Sequence, residues 1–199
     1  MEVRHDRNTG RLVYDNICFF NGVPMREIPG ELGVLQNGDF EKLDEYGSLQ
    51  NWAAYGDPVH SIMDAKVNPD EVFEGRYAIK ITDYKETTGT KGVCSTQFPV
   101  EEGMTYCFGG YVMENYDQGM GFQMVIRYFD RAGDPLANFF INTPATGEWN
   151  YCEVSGAAPS GAVSAYVMLL SGAGKGEAGF DKLTFSSSYN ATYAPVMED

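Results

Sequence analysis

Thr105-Tyr-Cys-Phe-Gly-Gly-Tyr-Val-Met113 and, shortly after it, Phe122-Gln-Met-Val-Ile-Arg-Tyr-Phe129 decide the fold. Successive strand residues point to opposite sides of a sheet. In the first stretch Tyr106, Phe108, Gly110 and Val112 share one side, and Thr105, Cys107, Gly109, Tyr111 and Met113 the other. Both sides carry apolar groups, which predicts a central strand. The second stretch divides more sharply. Phe122, Met124, Ile126 and Tyr128 make one face, and Gln123, Val125, Arg127 and Phe129 the other. A fully buried Arg127 would be costly without a partner, so its face is expected to be the wetter one.

Outward from this pair the chain keeps the same grammar. Extended runs are predicted at Val34–Gln36, Trp52–Tyr55, Ser61–Lys66, Tyr77–Thr82, Gly92–Val100, Asn138–Ile141, Glu148–Val154, Val163–Leu170 and Gly179–Phe185, with Gly, Pro and Asp clusters between them. No segment of helical length carries a helical period. Many short strands at a spacing of about 8–12 residues predict an all-β protein, a two-sheet antiparallel β-sandwich of the jelly-roll type. Upstream, Arg11–Tyr14 and Asn16–Phe20 are extended runs, and Asn21-Gly22 is a favoured turn pair leading into Val23-Pro24-Met25, an edge arm, so the stretch reads as a hairpin. The expected organisation is therefore a hairpin extension over 1–33, the sandwich over 34–188 and a tail over 189–199.

Composition narrows the function. The 199 residues suit one domain with a substantial core. A net charge of -14 argues against nucleic acid and against an anionic membrane surface, both of which need a basic patch. No apolar run is long enough to span a bilayer. Cys18, Cys94, Cys107 and Cys152 form no C-x-x-C pair and read as free thiols. His5 and His60 belong to no recognisable constellation, and no nucleophile elbow, zincin or phosphate-loop motif occurs. The expectation is a protein that is not an enzyme.

Several stretches carry a resemblance. Asn37-Gly-Asp-Phe-Glu41 resembles the N-G-x-F-E opening of carbohydrate-binding modules of families 4, 9 and 22, with Trp52 following where those modules place a Trp. Gly75-Arg-Tyr-Ala-Ile-Lys-Ile81 looks like their G-x-x-(S/A)-(L/I)-K-(V/I) strand. Gln97 to Phe108, Tyr128-Phe-Asp-Arg-Ala-Gly133, Trp149, and Gly179-Phe-Asp-Lys-Leu-Thr-Phe185 are similar to four further segments in the same order. The likeness covers about 34–188 and implies a galactose-binding-like jelly roll. It also implies a structural calcium, with ligands at the Asp39 carbonyl, Glu41, Glu74 or the Tyr77 carbonyl, and Asp181. Lys182 departs from the family's F-D-D at its last position.

For the ligand, the resemblance implies a polysaccharide or glycan. Gln97, Tyr111, Gln123, Arg127, Phe129 and Tyr166 are the expected binding residues by register, with Gly109 and Gly110 letting the ligand approach the backbone. Aromatic rings cover the C–H faces of a sugar, and planar polar groups bond its hydroxyls. Trp52 and Trp149 are expected in the core. Asp6-Arg-Asn-Thr-Gly-Arg-Leu12 faintly resembles the unit of Rhs/YD-repeat surface proteins. The implied setting is a module joined to neighbouring domains of a secreted or cell-surface bacterial protein. The alternative is a structural or adhesive spacer without a sugar ligand.

Overall fold

The computed structural model describes residues 31–57, 59–83, 90–118, 121–172 and 175–188. The predicted 1–33 hairpin, the Asp6–Leu12 stretch and the tail beyond 188 fall almost wholly outside these residues. The described residues form eleven strands: β1 (Trp52–Tyr55), β2 (Val59–Asp64), β3 (Tyr77–Asp83), β4 (Lys91–Ser95), β5 (Phe98–Pro99), β6 (Thr105–Gln118), β7 (Phe122–Phe129), β8 (Pro135–Asn142), β9 (Trp149–Ala157), β10 (Ser164–Ser171) and β11 (Lys175–Ser188). The described helical structure is a single 3-10 turn over Pro69–Glu71. No helix among the described residues is long and apolar enough to cross a membrane.

Two antiparallel sheets face each other, as the alternation predicts. Sheet I runs β1-β4-β10-β7-β8, with β5 also on β10, and sheet II runs β2-β3-β11-β6-β9. The inward residues of both sheets form one core: Ile79, Ile81, Phe108, Val112, Met124, Ile126, Tyr128, Val167, Leu169 and Phe180 are essentially inaccessible. Full burial of each large apolar side chain contributes about 1.5–3 kcal/mol. Trp52 packs against this core and donates its indole N–H to the Asn37 carbonyl at 2.9 Å.

Three expectations are corrected. Val34–Gln36 is not a strand but part of a turn, with the Val34 amide bonded to the Glu31 carbonyl; Leu35 reaches the core from there. The run from Gly92 to Val100 breaks into β4 and β5. Trp149 lies outside the main core, on the outer face of sheet II, where the segment preceding β3 covers it through Val72 and Phe73.

The two long sides of the sandwich differ. On one, the Phe139 ring lies over Gly156, where a Cβ would come within 2.3 Å of it, and the Tyr128 hydroxyl donates to the Gly156 carbonyl at 2.9 Å. The opposite side, between the edge strands β1 and β2, holds a cavity of about 370 Å³ lined in part by Trp52, Ala54, Ser61, Ile62 and Val93.

Candidate functional site

Asn37-Gly-Asp-Phe-Glu41 builds one end of the sandwich. Asn37 is buried at positive φ (53°), its amide group donating to the Gln50 and Lys42 carbonyls and its Oδ1 accepting from the Lys42 amide. Gly38 has no room for a side chain, because a Cβ would meet the Leu183 carbonyl oxygen at 2.2 Å. Phe40 drops into the core beside Trp52.

Glu41 then reaches the loop before β3. Its Oε1 accepts the Arg76 and Tyr77 amides at 2.7 and 2.9 Å. Gly75 permits this approach: it has φ +77°, and any Cβ would collide with Glu41 Oε1 at 2.4 Å. Asp181 holds the other half of the loop. Its Oδ2 accepts the Phe73 and Glu74 amides, both at 3.0 Å, and its Oδ1 the Lys182 amide at 2.6 Å. Burial outweighs these amide bonds and pushes the Asp181 carboxyl up to about 6, with the Glu41 charge adding to the rise.

The expected calcium ligands are thus brought together only in part. Glu41 and Asp181 converge on one loop. Glu74 is turned away into an ion pair with Lys182, the residue that departs from the family pattern. Asp39 is exposed, and Tyr77 contributes its amide to Glu41. Among the described residues no three His, Cys, Asp or Glu side chains form a metal cage. Two carboxylates with loop carbonyls are still hard-oxygen donors of the kind calcium accepts.

The polar face predicted around Arg127 is the outer face of sheet I. Register places Tyr166 beside Arg127, with Asn138 on its other side; Leu170, Gln123 and Asn142 make one cross-strand row, and Met168, Val125 and Phe140 another. The floor is apolar and closed: Val125, Met168 and Leu170 are buried, with Tyr55, Cys94 and Tyr166 packed against them. Gln123 and Phe129 are buried as well, so this face is drier than its sequence suggests.

Arg127 is the centre of the rim. Its Nε donates to Asn138 Oδ1 at 2.7 Å, and its Nη1 to the Tyr166 and Tyr55 hydroxyls at 3.1 and 3.3 Å. Gln123 donates to Asn142 Oδ1 at 2.8 Å, and Phe129 packs against Tyr166. Toward β8 the rim is open, with Asn138, Phe140 and Asn142 exposed.

Of the six expected binding residues, Gln123, Arg127, Phe129 and Tyr166 share this face. Gln97 lies beyond β4 beside a small hollow lined by Val34, Gln36 and Asn51. Tyr111 belongs to the other sheet, stacked on Phe73 at 3.6 Å on the outer face of sheet II. Gly109 and Gly110 do not receive a ligand: their space is filled by the Tyr151 hydroxyl and by Leu183. Tyr55, Asn138, Phe140 and Asn142 join this face beyond the expected set. Alternation along Asn138-Phe-Phe-Ile-Asn142 carried the signal for three of them.

Comparison with known proteins accords with this architecture. The model of a carbohydrate binding domain family matches residues 32–176. A xylanase/beta-glucanase of Ruminococcus flavefaciens is 23% identical over 158 residues, covering 78% of this chain and 19% of that protein. The chain thus spans about a fifth of that relative's length. Among solved structures, the enzymatically active domain of bacteriophage CBA120 tailspike protein 4 superposes with a TM-score of 0.60 at 14% identity, over 78% of this chain and 21% of that one. The TmCBM61 module in complex with β-1,4-galactotriose superposes at 0.51 and 17% identity, over 78% and 99%. The CBM22-1 xylan-binding domain of Paenibacillus barcinonensis Xyn10C does so at 0.50 and 16%, over 80% and 97%. At these identities the structural likeness concerns the fold.

Proposed function

The chain belongs to the carbohydrate binding domain family, and we propose that it binds a polysaccharide or glycan, without catalysis, on the outer face of sheet I. One observation carries this placement. Tyr55, Tyr166 and the exposed Phe140 lie on one surface with the planar polar groups of Arg127, Asn138, Gln123 and Asn142. Rings for stacking beside forked donors and acceptors are what a pyranose surface requires. Because the floor is closed, the sugar lies across the rim and leans on Phe140.

Affinity electrophoresis against a broad panel of neutral and acidic polysaccharides tests the reading. Retardation by at least one of them, reduced in Phe140→Ala and Tyr166→Ala, is expected. Migration unaffected by every polysaccharide would overturn it in favour of a structural spacer.

A structural calcium between Glu41 and Asp181 is part of the same proposal, its role being to neutralise two carboxylates that converge on one loop. The module's setting is proposed to be a larger secreted or cell-surface bacterial protein. The relative's much greater length supports neighbouring domains, and the Asp6–Leu12 stretch is compatible with an Rhs/YD-repeat parent.

A further inference from the structure

Arg127 is a half-buried guanidinium whose protein partners are all neutral: Asn138, Tyr55 and Tyr166. None of the residues that β1, β4, β10, β7 and β8 direct to this surface, Tyr55, Cys94, Tyr166, Gln123 and Asn138 among them, is acidic. In a chain with 28 Asp and Glu against 14 Lys and Arg, a positive charge so surrounded is unusual. Cations elsewhere show the ordinary pattern, with Arg76 on Asp64, Lys91 on Asp83 and Lys80 on Glu71.

The hydrogen-bond inventory points the same way. Arg127 uses Nε and Nη1 on protein acceptors, while Nη2 has none among the described residues and is not sealed by them from solvent. Each tyrosine hydroxyl accepts from Nη1, so its own proton is left to donate. Three donors, Nη2–H, Tyr55 O–H and Tyr166 O–H, therefore lie on one guanidinium and its two hydroxyl partners, whose oxygens already accept from Nη1. A neutral sugar hydroxyl would bring a surplus proton to those groups. An acceptor-only anion would not, and a guanidinium matches a carboxylate in geometry and charge.

Resting on the carbohydrate-binding reading, we propose that the ligand is an acidic polysaccharide, whose uronate carboxylate is received by Arg127 Nη2 together with the Tyr55 and Tyr166 hydroxyls. The chain's net charge of -14 opposes the approach of a polyanion. At physiological ionic strength that repulsion is screened beyond about 8 Å, whereas the contact at Arg127 is short and partly desolvated.

The test is affinity electrophoresis at physiological salt with polygalacturonate, alginate and glucuronoxylan, each beside its carboxyl-reduced, neutral counterpart. A sulfated galactan and neutral glucans complete the panel. Wild type is expected to bind at least one uronate polymer about tenfold more tightly than its reduced form, the scale of one charge-assisted hydrogen bond. Arg127→Gln should erase that ratio, and Tyr166→Phe should lower it. Equal binding to a uronate polymer and its reduced form would overturn the proposal and leave sugar binding intact. Preference for neutral glucans, or for the sulfated galactan alone, would do the same. No retardation by any polymer would overturn both readings. The wild-type comparison needs no variant, so a misfolded Arg127→Gln would not obscure it.

Discussion

Glu41 and Asp181 hold the same loop from its two ends, Glu41 through the amides of Arg76 and Tyr77 and Asp181 through those of Phe73 and Glu74. The first and last motifs of the family likeness are thereby tied through a third, although Phe73 and Asp181 are 108 residues apart in sequence. Four expectations follow from this and from the neighbouring architecture.

Asp181 should leave a signature in the pH dependence of stability. Its carboxyl is raised to about 6 in the folded chain, so between about pH 4 and pH 6 the unfolded chain has lost a proton that the folded one retains. Stability therefore falls as pH rises through that window, by on the order of 2–3 kcal/mol for this group. Asp181→Asn should abolish that component, seen as a flatter stability curve in urea titrations against pH. A bound cation favours the ionised carboxylate, so calcium added after EDTA treatment should raise Tm more at about pH 7 than at about pH 4.5. An unchanged Tm at both pH values would remove calcium from the account.

Glu114, on β6, is a fully buried acid bonded to the Thr143 hydroxyl and the Phe122 amide. Burial raises its pKa, so it too weakens the fold as pH climbs past the ordinary glutamate range. Glu114→Gln keeps an acceptor for Phe122 and gives Thr143 a donor. The variant should match wild type near pH 4 and exceed it near pH 8. Glu114→Ala, which orphans the Phe122 amide and opens a cavity, should cost about 2–4 kcal/mol. Chemical denaturation at the two pH values distinguishes these outcomes.

Two glycines should differ sharply when replaced. A Cβ on Gly92 would stand 1.9 Å from the Leu169 carbonyl oxygen, which is backbone of the adjoining strand. One on Gly109 would meet the end of Tyr151, an exposed side chain able to swing away. Gly92→Ala is expected to lose about 3 kcal/mol or more and Gly109→Ala less than about 1 kcal/mol. Equal urea midpoints for the two variants would contradict this packing.

Phe140 is 58% exposed. Replacing it by Ala should change folding stability by less than about 0.5 kcal/mol. Loss of an aromatic surface at the rim should weaken polysaccharide binding by about tenfold, in line with roughly 1–1.5 kcal/mol for one ring contact. Calorimetric titration alongside thermal unfolding separates the two effects.

Much of this architecture is written in local alternation. Trp52–Tyr55 and Phe122–Phe129 are strands with the bounds read from sequence, because turn residues or a change of pattern stop them at both ends. Arg127, Gln123, Phe129 and Tyr166 could be grouped because each lies on the same parity of its own strand. Tyr111 was misplaced for a related reason: parity says which side of a strand a residue takes, not which sheet the strand joins. Tyr55 lay beyond that reasoning, since its contact with Arg127 depends on the order of two intervening strands, β4 and β10. Glu74 was drawn to Lys182, a charge that the family pattern does not contain.

The contrast between the sandwich's two long sides has a dynamic consequence. With Phe139 seated on Gly156 along one margin and a hollow beneath the other, the layers are bound like a book along a single spine. Opening begins at the unbound margin, so the amides of β1 and β2 should exchange with deuterium well before those of β7 and β9.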